Sequence, residues 1–135
     1  MVEPNEDNTA WRRALRRDMV ARRAGLTEET RAAWSAHIAD RLLAALPTPR
    51  VVAFCWPIKH EPDVRAAIAR WAALGAQAAL PVVENEAEPL AFRAWTTETP
   101  LVADRYGIPT PAGGEWVAPD LILLAIIVIG FLDFT

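Results

Sequence analysis

VVAFCWPIKHEPDV, residues 51–64, decides how the rest of this chain is read. Its first six residues are apolar, rich in β-branched and aromatic types, and bounded by Pro49 and Pro57. That is the pattern of a short buried strand. Pro62 and Asp63 then open a helix, because proline is tolerated at the first helical position and an acid suits the positive end of the helix dipole. Val64, Ile68, Trp71 and Leu74 recur at helical spacing as its inner stripe, and Gly75 closes it. AQAALPVV (76–83) is a second strand, where Pro81 implies an edge or a terminus. Strand, crossover helix, strand predicts a parallel pair inside an α/β fold.

Upstream, WRRALRRDMVARRAGL (11–26) repeats Trp11, Leu15 and Met19 on one helical face, which predicts a buried stripe. Thr27, Glu28 and Glu29 start a second helix whose apolar face is Trp34, Ile38, Leu42 and Ala45. Downstream, PLAFRAW (89–95) alternates as a third strand, YGIPTPAGGEWVAPD (106–120) reads as a loop, and the apolar tail that follows is a fourth strand. In such sheets ligands bind beyond the carboxyl ends of the strands. The loop at 56–62, and whatever follows the tail strand, are therefore where function is sought.

The chain has 135 residues, 53% of them hydrophobic, which fits one domain with a real core. Residues 1–9 read as a disordered leader and residues 10–135 as a single domain. The net charge of −3 gives no general attraction to nucleic acid or anionic lipid. A single cysteine, Cys55, excludes an internal disulfide and fits a reducing compartment. The polar start MVEPNEDNT lacks the order of a signal peptide, so a cytoplasmic protein is expected. The apolar run from Leu121 to Leu132 is shorter than the roughly 20 residues that span a bilayer, so it reads as strand and not as anchor.

Two stretches stand out as able to carry chemistry. Arg12, Arg16 and Arg23 share one flank of the first helix, with Arg13 and Arg17 further toward solvent. Guanidinium groups one turn apart can converge on a phosphate, but a solvated helix face has the same pattern. In CWPIKHEPDV (55–64), Trp56 can stack on a flat heterocycle and Glu61 can bind a ligand. Equally, Glu61 and Asp63 can cap the helix and Trp56 can pack in the core. With two histidines and no HExxH spacing, no metal site is expected. Gly113-Gly114 is a turn, since no helix follows to complete a phosphate cradle.

In order along the chain, RRALRRDMVARRAGL, a strand leading into PIKHEPDV, LPVV, PLAFRAW, LVADRYGIPTP and PDLIL resemble the 5-formyltetrahydrofolate cyclo-ligases, also called 5,10-methenyltetrahydrofolate synthetases. The resemblance implies a three-layer Rossmann-like sheet with N-terminal helices. It also implies ATP- and Mg²⁺-dependent closure of 5-formyltetrahydrofolate to 5,10-methenyltetrahydrofolate. By resemblance Arg12, Arg13 and Arg16 would bind ATP, and Trp56, Glu61 and Tyr106 the folate.

The family continues past PDLIL into a glycine-rich loop, roughly GYGGGYYD, that wraps phosphates and ligates Mg²⁺. Here AIIVIGFLDFT follows instead, so the C-terminal part of the family fold is expected to be missing, as after a frameshift or premature stop. Its lack implies weak or absent turnover, no assignable catalytic residue and an exposed sheet edge prone to self-association. Two other readings stay open. One is a folate- or nucleotide-binding remnant without catalysis. The other is an interaction module that presents the arginine helix to an acidic partner or RNA.

Overall fold

The computed structural model describes residues 4–83 and 89–124. Three helices and seven strands lie within them: α1 (Pro4–Ala24), α2 (Glu28–Ala45), β1 (Val51–Phe54), α3 (Arg65–Ala73), β2 (Gln77–Val82), β3 (Ala91–Trp95), β4 (Leu101–Ala103), β5 (Pro109–Pro111), β6 (Trp116–Val117) and β7 (Leu121–Leu123). The fold is α/β, as the strand–helix–strand pattern predicts. No described helix is long and apolar enough to cross a membrane.

β1 forms from the expected run, and its last three residues are buried. It pairs in parallel with β2 (Val52 opposite Ala78) and with β7 (Phe54 opposite Leu123). The five-stranded sheet has the order β6-β3-β2-β1-β7. β3 and β6 run antiparallel to their neighbours, so the sheet is mixed. Only residues 83–90 lie between β2 and β3, fewer than the dozen or so that a parallel crossover needs, so the returning strand is antiparallel. Pro81 sits in the inner strand β2, near its end, where pairing with β1 has already stopped at Ala79. Its missing N–H therefore leaves no gap on that side, and its carbonyl accepts a hydrogen bond from Thr110 Oγ1 at 3.0 Å.

Several expectations need correction. The first helix begins at Pro4, inside the stretch read as a leader. Pro4 is a residue type that suits a helix start. The segment 106–120 is not all loop: β5 pairs with β4 in a hairpin, and β6 adds a strand beside β3. The third helix starts at Arg65, because Asp63 Oδ1 accepts the Arg65 N–H at 3.0 Å and holds the preceding backbone outside the helix. Its end is as predicted. Gly75, at φ +102°, lets its own N–H reach Ala72 O and the Ala76 N–H reach Trp71 O, both at 3.0 Å.

The core is built by Val52, Phe54, Ile68, Trp71 and Leu80, with Ile38 from α2, Trp95 and Leu123. Each large side chain buried there contributes roughly 1.5–3 kcal/mol before entropy is counted. Leu74, expected on the inner stripe, is 70% exposed, because it is the cap residue beyond the last turn. The α2 face also differs. Ile38, Ala39, Leu42 and Leu43 point inward, while Trp34 and Ala45 are exposed. On α1 the predicted stripe is not buried: Trp11 is 63% and Leu15 41% exposed, and no described α1 residue enters the core. Helical periodicity reports that a face exists. It does not say whether the fold covers that face.

Asp120 fastens the start of β1 to the approach of β7. Its Oδ1 accepts the Val51 N–H at 2.7 Å and its Oδ2 the Arg50 N–H at 3.1 Å. Those two donors hold its carboxyl below the ordinary carboxylate range.

Candidate functional site

Beyond Phe54 the chain leaves the carboxyl end of β1 through Cys55 and Trp56, and Pro57 ends any further pairing. Ile58–Glu61 then closes a tight turn. The Glu61 N–H donates to Ile58 O at 2.9 Å, and the Ile58 N–H donates to Glu61 Oε1 at 3.0 Å. The central residues Lys59 and His60 have φ of +49° and +60°. Both lie in the left-handed region, where a residue with a Cβ costs about 1–2 kcal/mol. The surroundings must hold such a turn.

They hold it from three sides. Glu61 binds it from within. From α1, Arg23 Nε donates to the Lys59 carbonyl at 3.3 Å. On the far side of the turn, the Asp63 N–H donates to Ser35 Oγ of α2 at 3.0 Å. Arg31 of α2 in turn reaches the end of α1, donating to Leu26 O at 2.6 Å and Arg23 O at 3.3 Å.

Trp56 is half-buried and meets Trp95 edge-on, with ring centroids 6.0 Å apart. Trp95 meets Phe54 in the same way at 5.3 Å. The Arg65 guanidinium lies over the Trp56 ring, 4.7 Å from its centroid. Arg65 also forms a two-pronged pair with Asp63 (Nε–Oδ1 2.9 Å, Nη2–Oδ2 2.6 Å). That hydrogen bond holds the Asp63 carboxyl below its ordinary range against the opposing effect of burial. Burial first, and the Glu61 charge second, push the Cys55 thiol up. Cys55 is therefore a poor nucleophile at neutral pH.

A cleft of about 660 Å³ opens between α2 and this turn, lined among others by Arg31, Ser35, Lys59, His60, Glu61 and Arg65. Its size suits a small organic ligand. A neighbouring recess at Arg23, Leu26 and Trp34 offers only about 30 Å³, enough for little more than water. On the other side of Arg65, a groove of about 770 Å³ runs along α3 past Trp56 and Trp95. Glu61 uses Oε1 internally, and a carboxylate has acceptor capacity left for a ligand's N–H groups.

Of the residues singled out from sequence, Trp56 and Glu61 lie on one loop but line different hollows, with Arg65 common to both. Arg12, Arg13 and Arg16 are exposed on α1 and line neither hollow. Arg16 is seven residues from Arg23, roughly 10 Å along the helix. Tyr106 is 59% exposed in the β4–β5 turn, where its N–H donates to Asp104 Oδ1 at 2.8 Å.

Arg31 and Arg65 emerge beside the turn although the sequence singles out neither, and Arg23, read from sequence as part of a phosphate-facing flank, instead meets the turn's backbone. The Asp63–Arg65 pair is local and visible in the charge pattern. Arg23 reaches across 36 residues and leaves no local signal. Among the described residues no three His, Cys, Asp or Glu side chains converge as metal ligands.

No protein-family model and no curated protein matches this sequence. The fold is similar to that of 5,10-methenyltetrahydrofolate synthetase from Aquifex aeolicus, solved by NMR, with a TM-score of 0.65 and 26% sequence identity. The similarity covers 82% of this chain and 58% of the Aquifex protein, so the chain spans less than two-thirds of that neighbour. Fold and sequence order thus both liken this chain to the 5,10-methenyltetrahydrofolate synthetases.

Proposed function

We propose that this protein binds 5-formyltetrahydrofolate at the Glu61 turn and, with ATP, closes it to 5,10-methenyltetrahydrofolate. The observation that carries the reading is the Glu61 carboxylate in an open cleft at the carboxyl end of β1, in a chain whose fold is similar to that of a 5,10-methenyltetrahydrofolate synthetase. A formamide oxygen leaves poorly, so the reaction first transfers the γ-phosphoryl group of ATP to it, releasing ADP. The second folate nitrogen then attacks the activated carbon. The carbon–oxygen bond breaks, phosphate departs with the formyl oxygen, and the attacking nitrogen loses its proton.

In this reading Glu61 accepts paired N–H groups of the pterin, while Trp56, across Arg65 in the neighbouring groove, offers an aromatic face to the rest of the folate. Tyr106 lines neither hollow and is given no contact in this reading. Arg12, Arg13 and Arg16 supply positive charge for the ATP phosphates, a role that exposed guanidinium groups one turn apart suit. Positioning and charge neutralisation carry most of such a reaction. Mg²⁺ would add charge neutralisation at the phosphates. The described residues do not form a site that fits it, and no step is routed through it.

The test is incubation of the full chain with ATP, Mg²⁺ and 5-formyltetrahydrofolate, following formation of the methenyl product. Slow formation that depends on ATP is expected, given the resemblance. In the double variant Arg12→Gln/Arg16→Gln the KM for ATP should rise about tenfold or more, as loss of charge-assisted hydrogen bonds implies, while the KM for folate holds. Folate binding with no product would support a folate-binding role in place of catalysis, and no binding at all would refute both.

A further inference from the structure

We infer that Arg23 is a positioning residue that ties the arginine helix to the Glu61 turn and so sets the geometry of the folate subsite. The inference rests on the proposed role of Glu61 and extends it to a residue outside the cleft.

Left-handed backbone at both Lys59 and His60 is not self-sustaining, because neither residue is glycine or asparagine. The Glu61 carboxylate is part of the lock, through Ile58 N–H at 3.0 Å. A ligand that competes for that carboxylate loosens the lock from inside. The turn then depends on what holds it from outside. Arg23 Nε, 3.3 Å from Lys59 O, is the external contact placed on the strained pair itself, while Ser35 acts two residues beyond Glu61.

Arg23 is itself held. Arg31 of α2 donates to the Arg23 carbonyl at 3.3 Å and to Leu26 O at 2.6 Å, fixing the end of α1 from which the Arg23 side chain departs. Ligand site, turn and helix are thus joined through named hydrogen bonds, with Arg23 as the link between the last two.

The test compares Arg23→Met, which keeps length and removes every donor, with Arg23→Lys, which keeps a charged donor. Arg17→Gln, on an exposed residue of the same helix, is the control. Two readouts are taken on the full chain: amide hydrogen exchange at Ile58 and Glu61, and affinity for 5-formyltetrahydrofolate by calorimetry. Protection at Val52 and Ala79 in the same spectra reports whether the sheet is intact.

With the sheet unchanged, Arg23→Met should speed exchange at Ile58 and Glu61 several-fold and weaken folate binding about tenfold. Arg23→Lys should recover most of both, and Arg17→Gln should change neither. Unchanged exchange at Ile58 and Glu61 in Arg23→Met would overturn the inference. So would Arg23→Lys behaving like Arg23→Met. If no variant and not the wild type binds folate, yet exchange still responds to Arg23→Met, the positioning role stands and the folate reading falls.

Discussion

Lys59 and His60 show how a single backbone conformation marks this site. Consecutive left-handed residues suit asparagine and glycine, and neither is present. His60→Gly should therefore stabilise the protein. Relief of the left-handed strain, about 1–2 kcal/mol, is opposed by the extra chain entropy of glycine, about 0.5–1 kcal/mol. A net gain of roughly 0.5–1 kcal/mol is expected, measured as a higher urea midpoint at unchanged slope. A lower midpoint would mean that the His60 side chain stabilises the turn more than its backbone strains it. At this scale the sequence was only partly legible. Glu61 stood out because it precedes a proline-led helix start, and Trp56 because it ends a strand. Arg31 did not, and Arg23 stood out only as part of a helix flank, since the partners of both are backbone carbonyls in a distant turn and in an interhelical link.

Among the elements, β1 and α3 were the readiest to predict, because both are bounded by residues with fixed backbone preferences: Pro49 and Pro57 for the strand, Gly75 for the helix end. β4, β5 and β6 escaped notice. They are two or three residues long, and β5 is Pro-Thr-Pro, which carries no strand periodicity. The periodicity of α1 predicts its helix but not the exposure of Trp11 and Leu15, as periodicity cannot supply the partner that would bury them. The tail read as a fourth strand is β7 at Leu121–Leu123; residues 125–135 lie outside the described residues.

Asp120, which fastens β1 near β7, makes this junction sensitive to pH. Its carboxyl is held below the ordinary value of 3.8 by the Val51 and Arg50 N–H groups. A depressed folded-state pKa means that the stabilisation is complete above the ordinary value and is lost as pH falls through the lower one. Asp120→Ala should therefore melt below wild type at pH 7. The gap should close as pH falls below that of the ordinary carboxylate. Thermal unfolding of both proteins at neutral and acid pH checks this, and a gap independent of pH would show that the carboxylate charge is not what holds the junction.

For the molecule as a whole, the α/β order positions chemistry by topology. A mixed sheet with parallel β2-β1-β7 at its centre and edge delivers the 55–64 loop to the carboxyl end of β1, against α2 and the end of α1. The similarity to the Aquifex synthetase extends over most of this chain and over 58% of that protein. The parts of the fold set by burial were legible from apolar patterning. The candidate site was legible only where one of its residues also served as a turn or cap signal.

The most direct measurement is a calorimetric titration of the full wild-type chain and of Glu61→Gln with 5-formyltetrahydrofolate. Replacing the carboxylate by an amide removes a charged acceptor, worth about 1.5–3 kcal/mol in a hydrogen-bonded pair. Wild type should bind one equivalent, and Glu61→Gln should bind roughly 10- to 100-fold more weakly. Equal affinity of the two proteins, or no binding by the wild type, would contradict the assignment of the Glu61 turn as the folate site.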